Sequence, residues 1–417
     1  MAELAYHIST GARKKRSLRI PQSHTLYLCP NSCARRQGIR AFKNGQADQV
    51  SFLCLSQSDV ISGDYVVQTR DAVATLLNHL KSTPRVISLY VNCVDDFIGT
   101  DETALLSELS EEFSPIKFFF SRINPISADI REPVSRSLQT HLYEPLERAD
   151  SRDGGITLVG NFEPLPASSE FHNIVEQLGC STVRQLIDCT NFDEYLALAR
   201  SSLVLSLSHL GDGVLLNMES KLGIPGQSWQ AGYNPLAIEQ AYQTLADKLG
   251  KEPIDCTFYK KQTRATIERT LAVLGDMPIA VDSSASMKPF SLTLDLLELG
   301  FNVVCVYALH NKGNDDEAED RLRREFPSLS VVKNGSIEAL LGSARSDNCL
   351  AIGVDSAFLL KTRFKVALYH DEGHFGFDGV SLLMQKMREA LNKQEHSSHA
   401  FASLGCSTCA AHSGCDA

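Results

Sequence analysis

Three cysteines close three short apolar runs near the start of this 417-residue chain: HTLYLC ends at Cys29, VSFLC at Cys54 and VISLYVNC at Cys93. Thiolates are soft donors that suit iron–sulfur clusters and zinc. A single cysteine at such a position is most simply a small buried side chain, whereas three converging on one place are a ligand set. Convergence depends on the elements that carry them. The runs are short, rich in Val, Leu, Ile, Tyr and Phe, and bounded by polar or Gly-containing segments, which predicts buried strands. Between Cys54 and Cys93, residues Val66, Val73, Leu76, Leu77 and Leu80 keep helical spacing and stop before Pro84. A strand, helix, strand order with right-handed crossovers puts the carboxyl ends of all strands on one edge, where such sheets bind ligands.

The three segments LYLCPNSCARR, FLCLSQSDVISGDY and VNCVDDFIGTD resemble the cysteine segments of the nitrogenase component 1 superfamily, which includes the large nitrogenase subunits and the subunits of dark-operative protochlorophyllide reductase. The third is the most specific, a cysteine followed by an acidic, apolar, Ile-Gly-x-Asp turn. The resemblance implies a [4Fe–4S] cluster at a subunit interface, held by Cys29, Cys54 and Cys93. Cys33 is an alternative first ligand or a fourth one, unless a partner chain supplies the fourth. It also implies a related component 1 subunit or a second copy as partner, an ATP-hydrolysing iron protein as electron donor, and a small-molecule substrate. The chain itself shows neither GxxxxGK[ST] nor a strand followed by GxGxxG, so an ATP-dependent step belongs to a separate protein.

Downstream, the patterns alternate. GITLVGNF, VRQLIDC and LVLSLSH predict strands, separated by the helices SSEFHNIVEQLG, with Ser at its N-cap, and NFDEYLALARSS, and followed by the helix GVLLNMESKLGIP. MPIAVDSS, NVVCVYALH, SVVKNG, CLAIGVD and KVALYH supply five more strands between further helices. The expected fold is α/β, three Rossmann-like doubly wound parallel-sheet domains around a central cleft: residues 1–153 with the cysteines, 154–251, and 252–395, followed by a flexible tail, 396–417.

Loops after these strands carry His209, Asp282, His310, Asp355 and His374. Histidine is the natural proton donor near neutral pH, and Asp can donate where burial raises its pKa. These five are the expected proton donors for a reduction, His209 and His374 first because each lies in a Gly-flanked loop. Two departures from nitrogenase itself exclude its cofactor: LSLSHLGDG lacks the anchoring cysteine, and HFGFDG places Phe375 in the slot of the anchoring histidine, with His374 one residue earlier. Dinitrogen is therefore not the expected substrate. A second reading of the same fold is a non-catalytic scaffold or carrier for metallocluster assembly, and a third a zinc-stabilised module.

The tail FASLGCSTCAAHSGCDA spaces Cys406, Cys409, His412 and Cys415 by three, a pattern for a second metal site as much as for a disordered segment. Of the other cysteines, Cys305 and Cys349 belong to apolar strands, and Cys180, Cys189 and Cys256 lack a partner at ligand spacing. Twelve cysteines without a signal sequence point to the reducing cytoplasm. A net charge of −10 argues against nucleic acid, and no apolar run approaches the ~20 residues of a membrane span. One basic stretch, GARKKRSLR at 11–19, reads as a solvated arm or a dock for an acidic surface.

Overall fold

The computed structural model describes residues 18–43, 45–122, 134–180, 182–229, 232–308, 315–333 and 348–392. The chain divides into two compact units, one from Lys14–Gln230 with Leu245–Glu252, the other chiefly from Ala231–Thr244 and the chain from Pro253 onward. Among the described residues, no helix is long and apolar enough to cross a membrane.

The first unit holds two four-stranded sheets. The strands of the first are β1 (Ser23–Cys29), β2 (Val50–Cys54), β3 (Val86–Val91) and β4 (Lys117–Arg122), in the order β2-β1-β3-β4 and parallel throughout. All six residues of β3 are buried, as a strand covered on both faces requires. On one face the rings of Phe52, Tyr27 and Tyr90 stack 5.4 and 5.3 Å apart, and Phe119 meets Tyr90 edge-on. These aromatic pairs fix the register.

β5 (Ile156–Val159), β6 (Val183–Gln185), β7 (Leu203–Ser206) and β8 (Gly226–Ser228) form the second sheet in the equivalent order β6-β5-β7-β8, again parallel. One apolar cluster runs from Tyr90 and Phe119 of the first sheet to Val159 and Val204 of the second, with Tyr195 of the helix Phe192–Ala197 beside them. Ser169 caps the helix Glu170–Gln177 as its sequence predicts. The segment VRQLIDC is strand only over Val183–Gln185 and then tightens into a 3₁₀ turn, Leu186–Asp188.

The second unit is built on β9 (Ile279–Asp282), β10 (Val303–Ala308), β11 (Ser330–Lys333), β12 (Leu350–Ile352) and β13 (Lys365–Val366), all parallel in the order β11-β10-β9-β12-β13. The expected α/β architecture of doubly wound parallel sheets is therefore the observed one.

In each sheet the strand order reverses once, and the crevice at that reversal is where an open parallel sheet takes a ligand. In the second sheet it lies between β5 and β7 and is packed with small residues. The Ser208 hydroxyl donates to the Gly160 carbonyl at 2.6 Å, and a Cβ on Gly160 would crowd Gly211 and Ser206. In the third it lies between β9 and β12, where the wholly buried Asp282 carboxylate fills the anion position. One of its oxygens accepts from Ser284 N and Oγ at 2.7 and 2.5 Å and from Ala285 N at 3.3 Å; the other accepts from Ser356 N and Oγ, both at 2.6 Å. Gly353, at φ +118°, lies against that carboxylate, and a side chain there would be driven into it. Asp282→Ala would leave the buried N–H groups of Ser284 and Ser356 without their acceptor, at about 1–3 kcal/mol each, while Ala285 N keeps the carbonyl of residue 282 at 3.0 Å. Urea denaturation is expected to show a loss of roughly 3 kcal/mol or more; unchanged stability would contradict this role.

Candidate functional site

The reversal in the first sheet lies between β1 and β3, and it is lined by sulfur. Cys29 and Cys54 are register partners at the carboxyl ends of β1 and β2, while Cys93 follows β3 by two residues. Pro30 turns the chain after β1, its carbonyl accepting from Cys33 N at 3.0 Å, so that Cys33 enters the first turn of the helix Asn31–Lys43. Asn92, just after β3, donates its side-chain N–H to Cys33 Sγ at 3.3 Å. Cys29 is buried, Cys33 and Cys93 are half-buried, and Cys54 is exposed. Burial pushes the Cys29 thiol up to about 12, with smaller contributions from the neighbouring Cys33 and Cys54.

The loop carrying Cys93 is held from beneath by a polar anchor. Asp95 is 3% exposed and accepts from Tyr65 Oη at 2.6 Å, Thr100 Oγ1 at 2.5 Å and Arg122 Nε at 3.0 Å; Arg122 also donates to Glu102 at 2.6 Å. Each residue of the Gly99-Thr100-Asp101 turn has its own part in this. Gly99 ends the short helix Asp95–Ile98 at φ +69°, Thr100 bonds Asp95, and Asp101 caps the helix Glu102–Glu112 through Ala104 N at 3.0 Å. The anchor ties the Cys93 loop to the helix Tyr65–His79 and to β4. Sequence reasoning missed Tyr65 and Arg122; the signature around Asp95 was the available signal.

A family model described as nitrogenase component 1 type oxidoreductase matches residues 16–392. The chain belongs to this family. A solved structure described as nitrogenase Cp1 at pH 6.5 superposes with a TM-score of 0.70 at 14% identity, covering 96% of this chain and 98% of the other. A second, nitrogenase Cp1 at pH 5, gives a TM-score of 0.58 at 14% identity over 89% and 85% of the two chains. At such identity the likeness speaks for the fold. No curated protein matches the sequence significantly.

The donor set of this component 1 chain suits an iron–sulfur cluster. It offers soft thiols at one sheet edge, with an amide N–H already directed at one sulfur, the kind of contact that tunes such clusters. Among the described residues, no three His, Cys, Asp or Glu side chains are grouped tightly enough for a single metal ion. A four-iron cluster instead takes each thiolate on a different iron, which spreads its ligands.

The described expected proton donors fall in both units. Asp282 is the buried acceptor described above and is fully engaged as a clamp. Asp355 is buried in the first turn of the helix Asp355–Leu360, favourably placed for its charge. His209 opens a 3₁₀ turn, His209–Gly211, in the first unit, whereas Asp282 and Asp355 belong to the second. His374 is half-buried, its Nε2 2.7 Å from Lys386 Nζ and its ring 6.1 Å from that of Tyr233. His310 and the tail residues Cys406, Cys409, His412 and Cys415 lie outside the described residues.

The structure adds Asp371, which sequence reasoning passed over beside His374. His370 and Asp371 both take left-handed backbone conformations, and their N–H groups bond to the carbonyls of Ser284 and Ala285 after β9, each at 2.9 Å. Asp371 accepts from Ser286 Oγ at 2.5 Å and Tyr233 Oη at 2.9 Å. Burial raises its carboxyl to about 6, and burial likewise raises Asp295, which accepts from Tyr233 N at 2.7 Å, to about 6. Asp371 thus titrates where a general acid must. A carboxyl whose folded pKa exceeds the unfolded value near 4 favours folding when protonated, and that contribution is lost as pH rises from about 4 through about 6. Urea midpoints between pH 4 and 7 should fall more steeply with pH in the wild type than in Asp371→Asn; parallel profiles would contradict the raised pKa.

Proposed function

We propose that this component 1 chain is an oxidoreductase subunit that receives electrons from an ATP-hydrolysing iron protein, holds a [4Fe–4S] cluster at a subunit interface, and reduces a small-molecule substrate other than dinitrogen. Its three sheets would correspond to domains 1–153, 154–251 and 252–395. The observation that supports the reading is the gathering of thiols at one sheet edge: Cys29 and Cys54 end the paired strands β1 and β2, and Cys93 follows β3 by two residues. Cys29, Cys54 and Cys93 would hold the cluster, with Cys33 beside them as a fourth thiol unless a partner supplies the fourth ligand. When bound, the cluster supplies one-electron chemistry at a potential set by burial and by hydrogen bonds to its sulfurs.

The protein's own groups do the remainder. Asn92 orients a donor toward Cys33, and the Asp95 anchor fixes the Cys93 loop. Binding requires the Cys29 thiol, raised to about 12, to give up its proton, so loading releases protons. Around this edge Cys54 is exposed, Ile61 is 79% exposed and Phe97 87% exposed, the surface expected where another subunit completes the site. Proton supply falls to Asp371 with Tyr233 and Ser286, and to His374 with Lys386. Asp282 has no part in it.

The exposure of Cys54 also favours a second reading, a carrier that surrenders its cluster to an acceptor protein. Gel filtration with an apo-ferredoxin separates the two: an enzyme keeps its iron, whereas a carrier transfers it. For the main reading, anaerobic purification followed by iron and zinc counting is expected to give about four irons per cluster. Electron paramagnetic resonance of the reduced protein should show a cluster signal that Cys29→Ala, Cys54→Ala and Cys93→Ala each abolish. Zinc in place of iron, or full iron in the variants, would refute the assignment.

A further inference from the structure

Cys29 and Cys54 are more than neighbours at one edge. Their strands are parallel and paired in register, Leu28 with Leu53 and Cys29 with Cys54, and the ladder continues one bond further, Leu55 N donating to the Cys29 carbonyl at 3.1 Å. Adjacent parallel strands lie about 4.8 Å apart, inside the window of roughly 4.4–6.8 Å between Cα atoms that a disulfide spans. Register partners present their side chains to the same face. Here that face carries the Tyr27 and Phe52 rings, stacked 5.4 Å apart, since each cysteine lies two residues beyond a ring. The other two thiols are held elsewhere. Cys33 Sγ accepts from the Asn92 side chain at 3.3 Å, on the β3 side of β1, whereas β2 flanks β1 on the opposite side. Cys93 sits in the loop that Asp95 anchors to Tyr65, Thr100 and Arg122. Access differs as well, for Cys29 is buried and Cys54 exposed.

We propose that in the cluster-free chain Cys29 and Cys54 form a reversible disulfide by exchange with a low-molecular-weight disulfide, and that this bond withholds two ligands from the cluster until it is reduced. The gating half rests on the cluster reading of this edge; the bond itself does not. In the first step the accessible Cys54, as thiolate, attacks one sulfur of glutathione disulfide. A Cys54–glutathione bond forms, the glutathione S–S bond breaks, and one glutathione thiolate leaves. In the second step the Cys29 thiolate attacks Cys54 Sγ, forming the Cys29–Cys54 bond and expelling the second glutathione. The two cysteine protons end on the two glutathiones, and the two electrons lost by the cysteines reduce the glutathione disulfide. Dithiothreitol runs the exchange backward. A disulfide with one sulfur open to solvent is of the labile, regulatory kind.

The test uses the full chain purified without its cluster, incubated with glutathione disulfide, alkylated and mapped by tandem mass spectrometry. A peptide pair joined through Cys29 and Cys54 is expected, with Cys33 and Cys93 alkylated. Cys29→Ala should abolish the link and leave glutathione on Cys54, while Cys33→Ala should keep the link. The oxidised wild type should lose iron uptake in anaerobic reconstitution and regain it after treatment with dithiothreitol. A lasting glutathione adduct on Cys54 in the wild type, a Cys29–Cys33 link in its place, or equal iron uptake by the oxidised and reduced chains would overturn the proposal. The Cys29–Cys54 link in a chain whose reduced form takes up no iron would uphold the bond and defeat the cluster reading; normal loading of the reduced chain with no such link after oxidation would do the reverse.

Discussion

The parallel pairing of β1 with β2 on one side and β3 on the other is the constraint on which the site depends. Side chains alternate along a strand, so a slip of one residue would move every side chain of β1 to the opposite face and put Cys29 out of step with Cys54. The Phe52, Tyr27 and Tyr90 rings prevent that slip two residues before the cysteines, in the same register that levels Cys29 with Cys54. The Cys93 loop needs more, because Cys93 lies beyond β3. Its anchor is Asp95, whose three hydrogen bonds reach Tyr65, Thr100 and Arg122. Backbone pairing thus sets two sulfurs and a buried polar network sets the third.

The three sheets share one topological device and use it differently. Small residues close the switch point of the second sheet. In the third, Asp282 takes the anion position, with the Ser356 N–H at the start of a helix as one of its donors. A nucleotide phosphate would need that place, which gives a physical reason for the missing phosphate-binding fingerprint. Among the described residues, the first sheet gathers thiols at its strand ends, donors for a group the chain does not itself provide.

The strands were legible because parallel strands buried on both faces leave dense, short apolar runs, and Cys29 and Cys54 stood out as last residues of theirs, with Cys93 two residues past the third. Other elements carried weak local signals. The helix Asn31–Lys43 buries little more than Ala34 and Ala41, too thin an apolar side to show as a periodicity. The strand Gly226–Ser228 is three residues long and exists through its pairing with β7. Asp282 looked like a proton donor because its loop is visible in the sequence, but two of its five donors come from Ser356, 74 residues later. Asp371 was hidden for the same reason, its partner Tyr233 lying 138 residues away. Composition and spacing find ligands carried by neighbouring strands; they do not find side chains matched across long separations.

The central claim is that the edge shared by β1, β2 and β3 holds iron, and anomalous diffraction from anaerobically grown crystals at the iron absorption edge tests it most directly. The account predicts an anomalous peak against Cys29, Cys54 and Cys93, with the third and second sheets bare of metal at their switch points. Iron located elsewhere in the chain, or a peak at this edge that appears only at the zinc energy, would contradict it.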